Sequence, residues 1–430
     1  MISKDKIKDV IRYFQDYAAE VEVLPRPVSL EENGNYVFIG LRRVGKTYML
    51  FQQIQQLILS GVPKQQMLYI NFEDERLSEL TTSDLSLILD CYNEMFDYKP
   101  ILFLDEIQLI DKWEKFARRM ADSKYRVYIS GSNAKMLSSE IATTLGGRFL
   151  IKEIYPFSFR EFLEKKGIEL SKNWQYGNER TTVLRTFEEY FYYGGLPELM
   201  LFSEKRHWLN SLYQKIFFGD LIARYEIRNV FAMKILVKKI AESVRQPISY
   251  SRMANIVSTV GKKIGKSTVI EYVDHLKETW MLFSLPNYLA KLAERESNRK
   301  YYFSDNGILN LFLFDGETIL LENLVAIELK KRYGDEVFYY HNKIEVDFFL
   351  PEQQMAIQAC YSLGDINTRN REVNALLQLS NHWQITKYLI ITKDEEAIIT
   401  EEAIQIEVVP VWKWLLNTSN GANMHHPSYI

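Results

Sequence analysis

A glycine-rich segment near the start of the chain has the residue types and spacing of a phosphate-binding loop. It is Gly40-Leu41-Arg42-Arg43-Val44-Gly45-Lys46-Thr47, with a strand-like run (36–39) before it and a helical pattern (48–58) after it. Glycines let the backbone fold around a phosphate, and N–H groups at the start of a helix donate to the anion. Lys46 would reach the β- and γ-phosphates, and the Thr47 hydroxyl would bind Mg²⁺. A chance glycine turn would not explain the flanking strand and helix, so the segment predicts an ATP site.

Two acidic residues follow a second apolar run, and their chemistry complements that of the loop. Residues 101–104 are Ile-Leu-Phe-Leu, and Asp105 and Glu106 come next, with Asp105 placed 59 residues after Lys46. We expect Asp105 to hold the Mg²⁺ shell through water and Glu106 to orient and polarise the attacking water. Glu106 therefore predicts hydrolysis in addition to binding.

Two further polar positions are expected at the same site. Ser132 and Asn133 follow the run 127–130 and would contact the γ-phosphate or the water, although an ordinary turn with a helix cap is the alternative. Arg148 follows Gly146 and Gly147 and is a candidate arginine finger for the nucleotide of a neighbouring subunit in a homo-oligomer. The alternative for Arg148 is a plain surface arginine. The residues expected to contact the nucleotide are Gly40, Arg42, Arg43, Val44, Gly45, Lys46, Thr47 and Ser132, and those expected to act in catalysis are Glu106, Lys46, Arg148 and Asn133.

The elements that must position these residues are short apolar runs that alternate with helical patterns. The runs are 36–39, 67–72, 101–104, 127–130 and 149–154. Near-continuous apolar strands separated by helices predict a parallel sheet with covered faces, and ligands of such sheets bind at the carboxyl ends of the strands. The first part of the chain is therefore expected to be an α/β domain with the parallel sheet of a P-loop NTPase.

Charge is distributed unevenly along the chain. Residues 201–300 contain 18 Lys+Arg and 9 Asp+Glu, which is a net charge of +9. The remaining residues therefore carry a net charge of −12, and the whole chain carries −3. A basic segment in an acidic chain favours a polyanionic partner, and a solvated lysine-rich surface is the equal alternative.

A helix–turn–helix pattern lies within this basic segment. Residues 249–260 are amphipathic, 261–265 form a basic turn, 266–280 form a second helical pattern, and 279–284 have the composition of a β-wing. In a winged-helix domain the second helix enters the major groove of DNA. Lys262, Lys263 and Lys266 would then hold phosphates. A protein–protein contact is the alternative role for such a domain.

The C-terminal third has the order of elements of restriction-endonuclease-like nucleases, with a helix that carries Glu322, a hairpin strand that ends near Asp347, and an adjacent strand. In such nucleases two acids bind Mg²⁺ and a lysine of an E-x-K motif steadies the attacking hydroxide. Here the third strand has Gln358-Ala359-Cys360, so the usual acid and the usual lysine are both absent. We therefore expect a degenerate nuclease-like α/β domain that has lost cleavage.

Composition and length set limits on the class of protein. At 430 residues, 47% of them apolar, the chain is long enough for two or three globular cores and too apolar for a disordered protein. No apolar run approaches the roughly 20 residues that cross a bilayer, and the charged N-terminus shows no secretory signal. Two distant cysteines favour a reduced, cytoplasmic setting. The expected divisions are 1–156 (ATPase), 157–296 (helical lid and winged helix), 297–416 (nuclease-like) and 417–430 (polar tail).

Taken together, these motifs make the chain similar to the bacterial and archaeal AAA-type P-loop ATPases with a restriction-endonuclease-like C-terminal domain of unknown function. Besides the loop, the resemblance rests on Tyr-Ile-Asn-Phe-Glu-Asp (69–74), Leu-Asp-Glu-Ile-Gln (104–108), Gly-Ser-Asn (131–133), Leu-Gly-Gly-Arg (145–148), Pro-Phe-Ser-Phe-Arg-Glu-Phe (156–162), Tyr-Gly-Gly-Leu-Pro (193–197) and, in the C-terminal part, Ile357-Gln358, Thr368 and Arg371-Glu372. The resemblance covers almost the whole chain. It implies a P-loop ATPase with a winged-helix segment and a nuclease-like terminal domain, and it supplies no pathway.

Three functional hypotheses follow from the sequence. The first is an ATPase with ATP and Mg²⁺ that couples hydrolysis to nucleic-acid binding or to remodelling of a complex, with DNA held by the basic winged-helix segment. The second is a nucleotide-gated protein-assembly switch without DNA. The third is an ATP-regulated nuclease that uses Glu322 and Asp347.

Overall fold

The structure is a computed structural model that describes residues 2–132, 143–261, 263–401 and 404–417. Asn133, Lys262 and the tail from residue 418 lie outside the described residues. The chain divides into two compact units, of which the first comprises residues 1–155 with 278–280 and the second 156–277 with 281–430. None of the helices in the described ranges is long and apolar enough to cross a membrane.

The first unit is built on a five-stranded sheet. Its strands are β1 (Tyr36–Ile39), β2 (Met67–Asn71), β3 (Ile101–Asp105), β4 (Val127–Gly131) and β5 (Leu150–Glu153). They lie in the order β2-β3-β4-β1-β5, and every pair of neighbours is parallel. The prediction of a parallel-sheet α/β domain is confirmed. Because all five strands point the same way, the residues that follow β1, β3 and β4 meet at one edge of the sheet.

The first unit also contains four α-helices in its described residues. Helix α1 (Lys4–Glu20) precedes β1, and α2 (Lys46–Leu59), α3 (Leu85–Asn93) and α4 (Trp113–Asp122) connect successive strands from β1 to β4. The sequence analysis assigned no element to residues 4–20, yet α1 buries Ile7, Val10, Ile11 and Phe14. That spacing places the four side chains on one face of a helix, and α1 packs with this face against β2. Helix α1 is therefore part of the core of the first unit.

The second unit begins with helices and a small sheet. Its helices up to the small sheet are α5 (Phe159–Lys165), α6 (Asn178–Tyr193), α7 (Lys205–Gln214), a π-helix (Lys215–Ala223), α8 (Val230–Glu242), α9 (Tyr250–Val260) and α10 (Lys266–Glu278). The strands are β6 (Ile248–Ser249), β7 (Leu282–Leu285) and β8 (Asn298–Phe303), with α11 (Leu292–Ser297) between the last two. They form an antiparallel sheet in the order β6-β8-β7.

The rest of the second unit contains a six-stranded mixed sheet. Its strands are β9 (Phe338–His341), β10 (Glu345–Leu350), β11 (Met355–Ala359), β12 (Lys387–Thr392), β13 (Ala397–Glu401) and β14 (Ile404–Pro410). The helices are α12 (Asn306–Asn310), α13 (Glu317–Tyr333), α14 (Ile366–Ser380) and α15 (Val411–Leu416). The strand order is β13-β14-β12-β11-β10-β9, with β9, β10 and β11 antiparallel and β11, β12 and β14 parallel.

Candidate functional site

The glycine-rich loop takes a backbone course that needs its glycines. Gly40 follows β1 with φ +141°, and a Cβ at this position would lie 2.3 Å from the carbonyl oxygen of Ile154. Gly45 has φ 95° and directly precedes α2. Both conformations are costly for residues with a side chain. The loop therefore leaves a cradle at the start of α2 that side chains at these two positions would fill or distort.

Lys46 is the first residue of α2, and it points back over the loop. It is 5% exposed, and its Nζ donates to the carbonyl oxygens of Gly40 and Leu41 at 3.1 Å each. The same nitrogen lies 4.0 Å from Glu106 Oε1. The ammonium group is thus held over the loop, between the loop carbonyls and the acid that follows β3.

Asp105, at the end of β3, accepts three hydrogen bonds from side chains of this edge. The Thr47 hydroxyl donates to Asp105 Oδ2 at 2.8 Å, and the Tyr69 hydroxyl of β2 donates to the same oxygen at 2.6 Å. The Ser130 hydroxyl of β4 donates to Oδ1. Burial raises the pKa of Asp105, the charge of Glu106 adds to this, and the three hydrogen bonds oppose it. The carboxyl is therefore fixed in one orientation beside Thr47.

Glu106 is held by residues of two neighbouring segments. Its backbone is left-handed, with φ 54°. Its Oε2 accepts hydrogen bonds from Ser132 N at 3.3 Å and Ser132 Oγ at 3.1 Å, and also from the Gln108 amide. The structure thus brings the predicted residues Lys46, Thr47, Asp105, Glu106 and Ser132 together at one edge.

The oxygens of this edge suit Mg²⁺, and the cradle suits a phosphate chain. Mg²⁺ in nucleotide sites is bound through one or two protein oxygens together with substrate phosphates. Thr47 Oγ1 and Asp105 Oδ2 are such a pair of adjacent oxygens. The glycine cradle, the helix start and Lys46 supply N–H groups and positive charge for the phosphates. The described residues therefore fit a bound Mg²⁺–nucleotide.

The other predicted contacts occupy different surroundings. Arg42 donates to Glu73 Oε1 at 3.3 Å, and Arg43 is exposed with φ 67°. Val44 is fully buried. Asn133 lies outside the described residues.

Arg148, the predicted finger, is bonded within its own unit. Its Nε donates to Asp122 at the end of α4, and its Nη1 donates to the Gly146 carbonyl at 3.3 Å. The Arg148 hydrogen bond holds the pKa of Asp122 below its usual range. The side chain is about one-third exposed, at 32%.

Sequence reasoning missed three residues of this site, namely Tyr69, Ser130 and Gln108. Tyr69 lies inside an apolar strand, where an aromatic residue indicates core packing. Gln108 follows the acidic pair by two residues, and Ser130 precedes the serine that was singled out. Polar side chains next to the strand ends were the only available signal, and they do not reveal which of them reach Asp105 or Glu106.

A second cluster of charges lies in the second unit, around a lysine that the sequence analysis did not find. Lys300 of β8 is fully buried, and its Nζ lies 3.0 Å from Asp347 Oδ1, 3.0 Å from Glu345 Oε1 and 3.3 Å from Glu322 Oε1. The nuclease-like sequence pattern lacked a lysine on its third strand. The structure provides one from a different strand, 22 residues before Glu322.

The remaining groups of this cluster are hydrogen-bonded as well. Tyr302 donates to Glu322 Oε1 at 2.9 Å, and Arg245 Nε lies 3.5 Å from Glu322 Oε2. The Gln358 side chain accepts from Asp347 N at 2.9 Å and donates to the Glu345 carbonyl at 3.1 Å. The side-chain oxygen of Gln358 is therefore used by the backbone of β10.

Burial and charge act against each other in this cluster. Burial opposes the charge on Lys300, but the carboxylates of Glu322 and Asp347 outweigh it and raise the lysine's pKa. Burial, together with Asp347, raises the pKa of Glu322 to about 7, against the attraction of Lys300 and Arg245. The ammonium is therefore the firmly charged member of the cluster.

Comparisons with known proteins place this architecture in a family. An uncharacterized protein of Methanocaldococcus jannaschii is 33% identical over 429 residues, which is 95% of each chain, and an uncharacterized protein of Haemophilus influenzae is 28% identical over 391 residues, 88% of this chain and 94% of that one. Residues 32–163 match the AAA domain, and residues 184–317 match a domain of unknown function (DUF8612).

Solved structures resemble the chain more weakly. A Walker-type ATPase of Pyrococcus abyssi has a TM-score of 0.38 at 11% identity, over 73% of this chain and 96% of that chain. AMPPCP-bound DnaA from Aquifex aeolicus has a TM-score of 0.25 at 12% identity, over 65% and 90%. By its relatives and its AAA domain with a P-loop, which implies nucleotide binding, the chain belongs to the same family as the uncharacterized protein of Methanocaldococcus jannaschii.

Proposed function

We propose that the protein is a Mg²⁺-dependent ATPase that couples hydrolysis to nucleic-acid binding or to remodelling of a nucleic-acid complex. The observation that carries the ATPase part is the 2.8 Å contact between Thr47 Oγ1 and Asp105 Oδ2, with Glu106 next in the chain. It joins a hydroxyl of the phosphate loop to a carboxylate that three hydrogen bonds hold in place. The two oxygens that we propose for Mg²⁺, Thr47 Oγ1 and Asp105 Oδ2, are therefore held in position by contacts within the folded chain.

Each residue of the edge has a definite part in this proposal. Lys46 holds the β- and γ-phosphates, while Thr47 and Asp105 hold Mg²⁺, which neutralises charge on the phosphates when it is bound. Glu106 orients the attacking water and accepts its proton. Ser132 holds Glu106 and contacts the γ-phosphate or the water. The other residues proposed to contact the nucleotide or to act on it are Gly40, Arg42, Arg43, Val44, Gly45 and Asn133.

A winged helix is the proposed element for nucleic acid, within the proposed segment 157–296. The support is the order β6, α9, α10, β7, β8 together with the antiparallel sheet β6-β8-β7. Lys263 and Lys266 are exposed at the start of α10, where they would contact phosphates as that helix meets DNA. The basic charge of residues 201–300 supports the same partner.

The proposed third division, 297–416, is a degenerate restriction-endonuclease-like domain. Its support is the helix α13 followed by the antiparallel strands β9, β10 and β11, then α14 and the parallel strand β12. Glu322 lies on α13 and Asp347 on β10. Gln358 is used by the backbone and Cys360 carries no positive charge, so we propose that the domain does not cut.

A homo-oligomer completes the proposal. In it, Arg148 would leave its contact with Asp122 and reach the nucleotide of the neighbouring subunit, where an arginine stabilises charge in the transition state. The partly exposed position of the side chain and its surface ion pair are compatible with such an exchange.

The experiment that tests the function is the ATPase rate of the full chain measured alone, with DNA and with RNA. We expect Mg²⁺-dependent hydrolysis that nucleic acid stimulates. Glu106→Gln should keep ATP binding and lower turnover about 100- to 10,000-fold, while Glu75→Gln, an exposed acid of the same unit, should behave as wild type.

Three outcomes would contradict parts of the proposal. Unchanged hydrolysis in Glu106→Gln would remove the assigned base. A rate that neither DNA nor RNA alters, without salt-dependent binding of either, would favour a nucleotide-gated protein switch. Mg²⁺-dependent cleavage of the added strands that Asp347→Ala abolishes would favour the nuclease.

A further inference from the structure

The charges around Lys300 form the floor of a large cavity in the second unit. The cavity has a volume of about 690 Å³, which is the size of pocket that holds a nucleotide-sized ligand. Glu322 is 1% exposed and the side chain of Asp347 15% exposed, so these acids lie deep. The basic residues that line the cavity are nearer solvent and are Lys239, Arg245, Arg252, Lys343 and Arg371.

The ammonium group of Lys300 is directed at the acids around it. Its Nζ donates to Glu322 Oε1 at 3.3 Å and to Asp347 Oδ1 at 3.0 Å, and it lies 3.0 Å from Glu345 Oε1. A lysine that assists an attacking hydroxide must direct a hydrogen to the substrate. Lys300 therefore acts as a counter-charge to the acids and not as a catalytic group.

The same geometry places Lys300 where a divalent cation would be bound. Three carboxylate oxygens, one from Glu322 of α13 and two from Glu345 and Asp347 of β10, lie within 3.3 Å of the ammonium group, which takes the place that a divalent cation would have among them. The second oxygen of each deep acid is also bonded, to Arg245 in Glu322 and to Ala359 N at 3.1 Å in Asp347.

The mouth of the cavity is suited to phosphate groups. The side chains of Arg245 and Arg371 are 44% and 65% exposed. Arg371 uses two of its five N–H donors on Glu372, at 3.1 and 2.6 Å, so its guanidinium is held in place with donors to spare. The paired N–H donors of a guanidinium group match the spacing of two phosphate oxygens. A guanidinium group that is already held in one orientation loses little conformational entropy on binding.

The lining also indicates which part of a nucleic acid is bound. No aromatic side chain is among the described residues that line the cavity, and its few apolar residues are Pro247, Ile248, Ile319, Ile344 and Ala375. Bases of single strands are held by stacking on aromatic rings, so this cavity offers contacts to the sugar-phosphate backbone instead.

We infer that this cavity binds the phosphate backbone of a nucleic acid through arginine and lysine side chains at its mouth, without a divalent cation, because Lys300 occupies the cation's position. The inference rests on the proposed coupling to nucleic acid, and it assigns a backbone-binding site separate from the winged helix. Such binding is independent of base sequence and weakens with salt.

The first test is anisotropy of labelled DNA and RNA strands with the full chain, without ATP, over a range of salt concentrations. Arg371→Gln should weaken binding about three- to tenfold and lower the salt slope by about one. Arg185→Gln, which removes an exposed arginine of α6 outside the cavity, should change neither. Wild type should bind no more tightly in Mg²⁺ than in EDTA and should leave the strands intact.

The second test removes the internal cation. We expect Mn²⁺ to raise the melting temperature of Lys300→Met but not that of wild type, because the variant leaves three carboxylates around an open position. If this variant does not fold, the comparison of Mg²⁺ with EDTA in wild type decides the question alone.

Several results would overturn the inference. Binding that requires Mg²⁺, cleavage of the strands, or a folded Lys300→Met without a response to Mn²⁺ would each contradict the role of Lys300. If Arg371→Gln binds the strands as tightly as wild type, or if polyglutamate displaces the labelled strands as well as unlabelled nucleic acid does, only the backbone-binding site is contradicted. No binding of DNA or RNA by wild type would contradict both this inference and the nucleic-acid part of the proposed function, while ATP hydrolysis would remain a separate measurement.

Discussion

The hydroxyl of Tyr69, on β2, donates to Asp105 Oδ2 on the neighbouring strand β3 at 2.6 Å. Thr47 of the phosphate loop donates to the same oxygen at 2.8 Å. The tyrosine therefore helps to fix the orientation of the carboxyl from a strand outside the loop.

Tyr69→Phe tests this positioning role. Removal of the hydroxyl takes away one of the two hydrogen bonds to Asp105 Oδ2, and we expect the Mg²⁺ affinity of the ATPase to fall about 10- to 100-fold, as for other supports of metal ligands. The measurement is the Mg²⁺ dependence of the ATPase rate, in which kcat at saturating Mg²⁺ should change little.

Tyr92→Phe is the matched control for this substitution. Tyr92 is another buried tyrosine of the first unit, and its hydroxyl donates to the Gln65 carbonyl at 2.9 Å. The Mg²⁺ dependence of Tyr92→Phe should be that of wild type. An equal effect of both substitutions would indicate general destabilisation instead of support of Asp105.

Gly40→Ala should abolish ATP binding. The added Cβ would lie 2.3 Å from the Ile154 carbonyl oxygen, and φ +141° is unfavourable for alanine, so the loop must shift. Gly61→Ala is the control, because Gly61 has φ +95° but nothing within 4 Å of the new Cβ. It should lower the free energy of unfolding by about 1–2 kcal/mol and keep ATP binding. Binding of a fluorescent ATP analogue measures both, and tight binding by Gly40→Ala would contradict the cradle.

Arg148→Ala should lower kcat about 1,000-fold and leave ATP affinity unchanged if the arginine acts on a neighbouring subunit. Asp122→Asn separates this role from the ion pair, because it removes the pair but keeps the arginine; its kcat should stay near that of wild type. Mass measurement in the presence of ATP should find an oligomer. A monomer, or equal losses in the two variants, would refute the finger.

The stability of the protein should depend on pH through Glu322. Its pKa is raised by burial to about 7, so the folded state binds a proton more tightly than the unfolded state, and stability decreases as pH rises from about 4.5 to above 7. The difference of about 2.5 pH units corresponds to about 3 kcal/mol. Glu322→Gln stays neutral and should lack this decrease, as measured by denaturant unfolding at several pH values. Parallel pH profiles of the two proteins would contradict the raised pKa.

The parallel-sheet fold of the first unit could be predicted from the sequence because the signals for it are local. The loop, the strands β1 and β3 and the acids that follow β3 are each defined within a few consecutive residues, and a parallel sheet brings strand ends together whatever the details of packing. The sequence could not identify Tyr69, because its contact with Asp105 depends on how two apolar strands turn their side chains. It missed Lys300 for a related reason, since that lysine reaches Asp347 from a strand 47 residues earlier in the chain.

The hydrogen bonds of Lys46 to the Gly40 and Leu41 carbonyls mean that the folded loop itself holds the ammonium group over the cradle. In the proposed function, the charge that meets the triphosphate is therefore already in place before binding. The side-chain entropy that a mobile lysine would lose on binding is then lost on folding instead, which lowers the entropic cost of binding.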